Sequence, residues 1–101
     1  MTFENINIRN IVSTALSRNA IMIDIRAPER FLQGHIPMSI NLPLGLIRAG
    51  QITLPKSRTL IVYCDTGGSS MQAARILAEM GYEVINCIGG IRSYRGSLTK
   101  R

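Results

Sequence analysis

Thr59-Leu60-Ile61-Val62-Tyr63-Cys64-Asp65-Thr66-Gly67-Gly68-Ser69-Ser70 is the stretch around which the chain is organised. The run from Thr59 to Tyr63 is apolar and β-branched, the pattern of a buried strand. Over Ser70 to Met80, apolar residues recur at Ala73, Ile76, Leu77 and Met80. That spacing predicts a helix, with Gly81 as its stop. Cys64 is therefore expected where a strand has ended and a helix has not yet begun. Gly67 and Gly68 permit a tight loop there, and Ser69 or Ser70 is expected to cap the helix. Such a loop turns backbone N–H groups towards one point, which the positive end of the helix dipole also faces. A thiolate at that point is stabilised and an anion beside it is held, the physical requirement for a reactive cysteine.

Working outward, the remaining residues read as alternating strands and helices. Phe3 to Ile8 is a short strand, and Ile8, Ile11, Val12, Ala15 and Leu16 mark an amphipathic helix ending near Asn19. Ala20 to Ile25 is a buried strand. Pro28 suits the first turn of a short helix, 28–32, stopped by Gly34. Ser39 to Leu42 is a brief strand ended by Pro43, Leu44 to Ala49 a brief helix, and Gly50 to Arg58 a loop. Glu83 to Ile88 is the last strand, after which Gly89-Gly90 opens a short helix carrying Tyr94. The tail, 96–101, is expected to fray. The alternation implies one α/β domain over residues 1–101, a doubly wound and mostly parallel sheet of about five strands with helices on both faces. Ligands in such sheets bind beyond the carboxyl ends of the strands, where Cys64 falls.

Composition narrows the function classes. The chain has 101 residues, 46% hydrophobic and 18% charged, as in an ordinary globular domain. No apolar run approaches the ~20 residues needed to span a membrane, so no membrane partner is expected. Met1 to Asn10 lacks a basic-then-apolar leader pattern, and the reading is cytoplasmic. The formal charge is +6, but the 12 basic residues are dispersed and aromatics are only 5%. Nucleic acid is disfavoured by that dispersion, and small anions suit the basic surface better. Cys64 and Cys87 are too few for a disulfide framework, and with one His they suit no common metal site. No metal and no cofactor are expected.

Three sets of residues together resemble a single-domain rhodanese (thiosulfate sulfurtransferase). The first is Asp24-Ile25-Arg26, Phe31, Gly34-His35-Ile36-Pro37 and Asn41-Leu42-Pro43; the second Tyr63-Cys64 with Gly67 and Ser70; the third Gly89-Gly90-Ile91 with Tyr94. The resemblance runs from about Ile21 to Tyr94 and implies a ping-pong reaction. Cys64 would take a sulfane sulfur as a persulfide and pass it to a nucleophile. It implies a substrate-cradling loop from Cys64 to Ser69, with Asp65, Thr66, Gly67, Gly68, Ser69 and Ser70 as the binding residues. It implies a small anionic sulfur donor and a thiol or cyanide-like acceptor, with thioredoxin or a sulfur-carrier protein as protein acceptors. Two positions depart from the pattern: Ser69 stands where many single-domain members carry Arg, and Tyr94 where Trp is usual.

Each candidate also has a plainer reading. Cys64 could be a buried thiol at a strand end, since cysteine is often core; the glycine loop and helix start favour a nucleophile. A carboxylate beside an anion site is costly, so Asp65 is expected to point to solvent; the other reading is that the natural donor is not thiosulfate. Asp24 and Arg26 lie two apart on extended backbone, face one side and read as an ion pair bracing the loop. His35, without a second His or an acid partner, reads as structural support. Arg75 is expected in solvent and Cys87 in the core. A phosphatase-type loop needs Arg six positions after the Cys, where this chain has Ser70. The leading function is a sulfurtransferase; the alternative is a non-catalytic binding or regulatory module on the same fold.

Overall fold

The structure, a computed structural model, describes residues 2–101. The apolar runs form five strands: β1 (Glu4–Asn7), β2 (Ile21–Asp24), β3 (Ile40–Asn41), β4 (Leu60–Tyr63) and β5 (Val84–Ile88). Between them lie α1 (Ile11–Arg18), α2 (Pro28–Gln33), α3 (Leu44–Arg48) and α4 (Gly68–Glu79), with 3-10 turns at Ile8–Asn10 and Ile91–Ser93. The element ends follow local chemistry. Asn19 takes a left-handed φ of 49° to close α1, and Pro28 opens α2, where its missing N–H costs nothing.

The strand order is β1-β5-β4-β2-β3, and every pairing is parallel. Parallel neighbours need crossovers, and the intervening helices cover both faces of the sheet. β4 is central and wholly buried. Strand alternation sends Leu60, Val62 and Cys64 to one face and Ile61 and Tyr63 to the other. The first set packs with Ile47 of α3 and with Ala73, Ala74, Leu77 and Ala78 of α4. Three alanines on that stripe let α4 lie close to the sheet. The second set packs with Ile8, Ile11, Ala15, Ile85 and Cys87. Burying each large aliphatic side chain stabilises the fold by about 1.5–3 kcal/mol, so β4 is anchored from both sides. No helix among the described residues is long and apolar enough to cross a membrane.

From β2 the chain moves outward to β3, then returns past β2 to build β4 and β5 on the other side. That reversal leaves a crevice between the carboxyl ends of β2 and β4.

Two local expectations are corrected. α4 begins at Gly68, before either serine, and Gly67 is its N-cap with no side-chain cap bond. Ser69 and Ser70 therefore lie inside the first turn, where Ser70 Oγ donates back to the Gly67 carbonyl at 3.1 Å. The tail, expected to fray, is tethered instead. His35 and Thr99 exchange N–H···O bonds of 2.8 Å in both directions. His35 Nε2 also lies 2.7 Å from the main-chain oxygen of Arg101. The partner of the tail is the loop after α2, which no local pattern in residues 96–101 announces.

Candidate functional site

Cys64 is the first residue beyond β4. Its Sγ accepts the Gly67 N–H at 3.0 Å, a bond that folds the loop back over the sulfur. Gly67 makes this turn at φ 114°, a conformation glycine alone adopts freely. The residue is 4% exposed, yet it is not sealed in hydrocarbon. It lines a cleft of about 310 Å³ together with Ile25, Arg26, Ala27, Arg30 and Leu44, and with Asp65, Thr66 and Ser69. Apart from Leu44, at the start of α3, the lining comes from the segments that follow β2 and β4, the two lips of the crevice.

The loop is gripped from behind. Ile91 N–H donates to the Cys64 carbonyl at 2.8 Å, and Arg92 N–H to the Asp65 carbonyl at 3.1 Å. Gly90 makes the approach possible: a Cβ there would fall 2.2 Å from the Asp65 oxygen.

The charged groups form a chain across the cleft. Asp24 is fully buried and is held by Arg26, whose Nη2 lies 2.7 Å from Oδ2 and whose Nε lies 3.0 Å from Oδ1. Arg26 Nη2 also donates to the Gly34 carbonyl at 2.7 Å, which ties β2 to the end of α2. Burial works against the Arg26 charge, but hydrogen bonding and attraction from Asp24 outweigh it and raise its pKa. Asp65 does not simply point to solvent. Its Oδ1 accepts from Arg30 Nη2 at 2.8 Å and stands 3.8 Å from Arg26 Nη1. The carboxylate that looked awkward beside an anion site is neutralised by two guanidinium groups.

Not every expected residue reaches the cleft. Asp65, Thr66 and Ser69 line it with Cys64, and Gly67 touches the sulfur through its N–H. Gly68 opens α4 on the exposed side, and Ser70 is buried with its hydroxyl committed to Gly67. Ser70 is thus no cleft donor, because the early helix start turns it inward. His35 is fully buried, stacks on Phe31 at 3.6 Å and places Nδ1 2.8 Å from the Phe31 carbonyl. Cys87 is buried on the far face; burial, and then the charge of Cys64, push its thiol up to about 12. Arg75 is exposed, and Tyr94 packs against the far-face core. Arg30, and Ala27 and Leu44 beside it in the lining, carry no motif of their own in the sequence. The available signal was topological: the first turn of a helix following β2 must face the same crevice as the loop following β4. A larger groove of about 460 Å³, lined by Leu16, Met22, Met38 and Arg58 among others, carries no thiol, imidazole or carboxylate.

Comparison with known proteins agrees with this geometry. A family profile described as a rhodanese-like domain matches residues 10–97. A sulfurtransferase of Allochromatium vinosum is 38% identical over 76 residues, which cover 74% of this chain and 71% of that protein. Thiosulfate sulfurtransferase PspE of Escherichia coli is 40% identical over 72 residues, 69% of each chain. Among solved structures, a rhodanese with anions from E. coli is 36% identical with a TM-score of 0.67, covering 81% of this chain and 99% of that one. A rhodanese-like domain protein of Staphylococcus aureus shares the fold, with a TM-score of 0.83 at 21% identity over 98% of this chain and 99% of that one.

Proposed function

Because this chain belongs to the rhodanese-like domain family, we propose that it is a sulfurtransferase that carries sulfur as a persulfide on Cys64. The observation that carries this reading is the Gly67 N–H aimed at Sγ from 3.0 Å, at the amino end of α4 and at the floor of an open cleft. The thiolate is the attacking species in such a transfer, and the Gly67 N–H and the amino end of α4 give a negatively charged sulfur its partners.

With thiosulfate as donor, the Cys64 thiolate attacks the outer, sulfane sulfur. A new S–S bond forms to Cys64, and the S–S bond of thiosulfate breaks. Sulfite leaves with the electron pair, and the negative charge of the thiolate passes to the terminal sulfur of the persulfide. A nucleophilic acceptor, a thiolate or cyanide, then attacks that terminal sulfur and restores the Cys64 thiolate. Thioredoxin or a sulfur-carrier protein would serve as a protein acceptor. The protein's contribution is to hold the charged sulfur with the Gly67 N–H at the amino end of α4. Cys87 takes no part, since it lies on the far face and stays protonated.

The test is mass spectrometry of protein incubated with a sulfane donor. Gain of one sulfur atom on Cys64, and thiocyanate on adding cyanide, are expected, and both are lost in Cys64→Ser. No added sulfur from thiosulfate or from an organic thiosulfonate would refute the persulfide.

A further inference from the structure

We infer that the Arg30–Asp65 ion pair sets donor selectivity, biasing the cleft towards singly charged organic sulfane donors over dianionic thiosulfate. The inference rests on the Cys64 persulfide reading and names its substrate class.

Two observations carry it. The first is charge. Asp65 is 33% exposed in its side chain and occupies the position beside the nucleophile, and its Oδ1 engages Arg30 at 2.8 Å and faces Arg26 Nη1 at 3.8 Å. The remaining polar atoms of Arg26 are turned to Asp24 and the Gly34 carbonyl. The two guanidinium groups at the cleft are thus already matched by the carboxylates of Asp24 and Asp65. A dianion entering this space must compete with Asp65 for both arginines and bear its repulsion. A donor with one charge meets about half that repulsion. The second observation is shape. Ile25, Ala27 and Leu44 also line the cleft, and none of them offers a polar side chain to a sulfonate oxygen. Those apolar side chains suit a hydrocarbon group on the donor.

The Cys64 thiolate attacks the terminal sulfur of an organic thiosulfonate, R–SO2–S⁻, and forms the Cys64 S–S bond. The S–S bond of the donor breaks, and the sulfinate R–SO2⁻ leaves with the electron pair. The reacting thiolate charge ends on the persulfide. No oxidant or reductant is needed.

The experiment compares thiosulfate with methanethiosulfonate, in which a methyl group replaces one charged oxygen. The two differ in intrinsic reactivity, so the readout is how the ratio of their kcat/KM values changes with substitution. Asp65→Asn frees Arg30 and removes the repulsion. It is expected to move the ratio at least about tenfold towards thiosulfate, the Coulomb effect of one unit charge at about 6 Å in a partly wetted cleft. Arg30→Gln leaves Asp65 less neutralised and should move the ratio in the opposite direction. Arg30 is half exposed, so this variant folds even if Asp65→Asn does not. A ratio within threefold of the parent in both folded variants, with Cys64 still gaining sulfur, overturns the selectivity inference alone. No sulfur on Cys64 from either donor overturns the persulfide reading beneath it.

Discussion

Replacing Gly90 with Ala should cripple the protein out of proportion to the one methyl group added. Gly90 sits at φ 63° and ψ −175°, a region essentially reserved for glycine. An added Cβ would stand 2.2 Å from the Asp65 carbonyl oxygen, 2.3 Å from its carbon and 2.5 Å from Thr66 N. These are backbone atoms, so no rotamer change relieves the clash. Backbone strain contributes about 1–3 kcal/mol, and overpacking adds about 1–3 kcal/mol. Separation of the two segments also weakens the bonds from Ile91 and Arg92 to the loop carbonyls, at about 1 kcal/mol each. The expected loss is about 4–8 kcal/mol, which for a domain of this size lowers Tm by roughly 16 °C or more. Urea unfolding and a thermal melt measure it. At temperatures where the variant is still folded, sulfur loading of Cys64 should fall at least tenfold, because the loop that directs Gly67 N–H at the sulfur has moved. Gly45→Ala is the matched comparison: it lies in α3 with no atom within 4 Å of its added Cβ, so its change should stay within about 1 kcal/mol. A Gly90→Ala protein that loses under 1 kcal/mol and loads sulfur normally would refute the claim that this contact seats the loop.

Two further outcomes are expected. Asp24→Asn strands the nearly buried Arg26 charge, whose side chain is 8% exposed, and should cost about 3 kcal/mol in urea unfolding; a loss under 1 kcal/mol would mean the guanidinium finds another partner. Cys87, pushed up to about 12 mainly by burial, keeps its proton in the folded state between about pH 9 and 12 while the unfolded chain releases it. Stability is therefore full below about pH 9 and should fall by about 1.4 kcal/mol per unit as pH rises through that window. Cys87→Ala should remove that component, and identical alkaline slopes in the two proteins would contradict it.

The central strand and the thiol at its end were legible in the sequence because both signals are local: a β-branched run, then two glycines, then helical spacing. The five-stranded parallel architecture followed from the alternation of periods. What escaped was fixed by contacts between distant segments. α4 starts at Gly68, directly after the Gly67 N–H closes the turn on the Cys64 sulfur, a bond that no side-chain capping rule anticipates. The tail is ordered because its partner is His35, and Arg30 matters because Asp65 meets it across the crevice. Charge complementarity between two loops becomes visible only once the strand order places them side by side.

The grip of Ile91 and Arg92 on the Cys64 loop runs from main chain to main chain. Bonds of that kind are indifferent to the side chains of the residues that make them. Any residue but proline can therefore stand at 91 or 92 without loosening the hold on the nucleophile, whereas the neighbouring Gly90 admits no replacement.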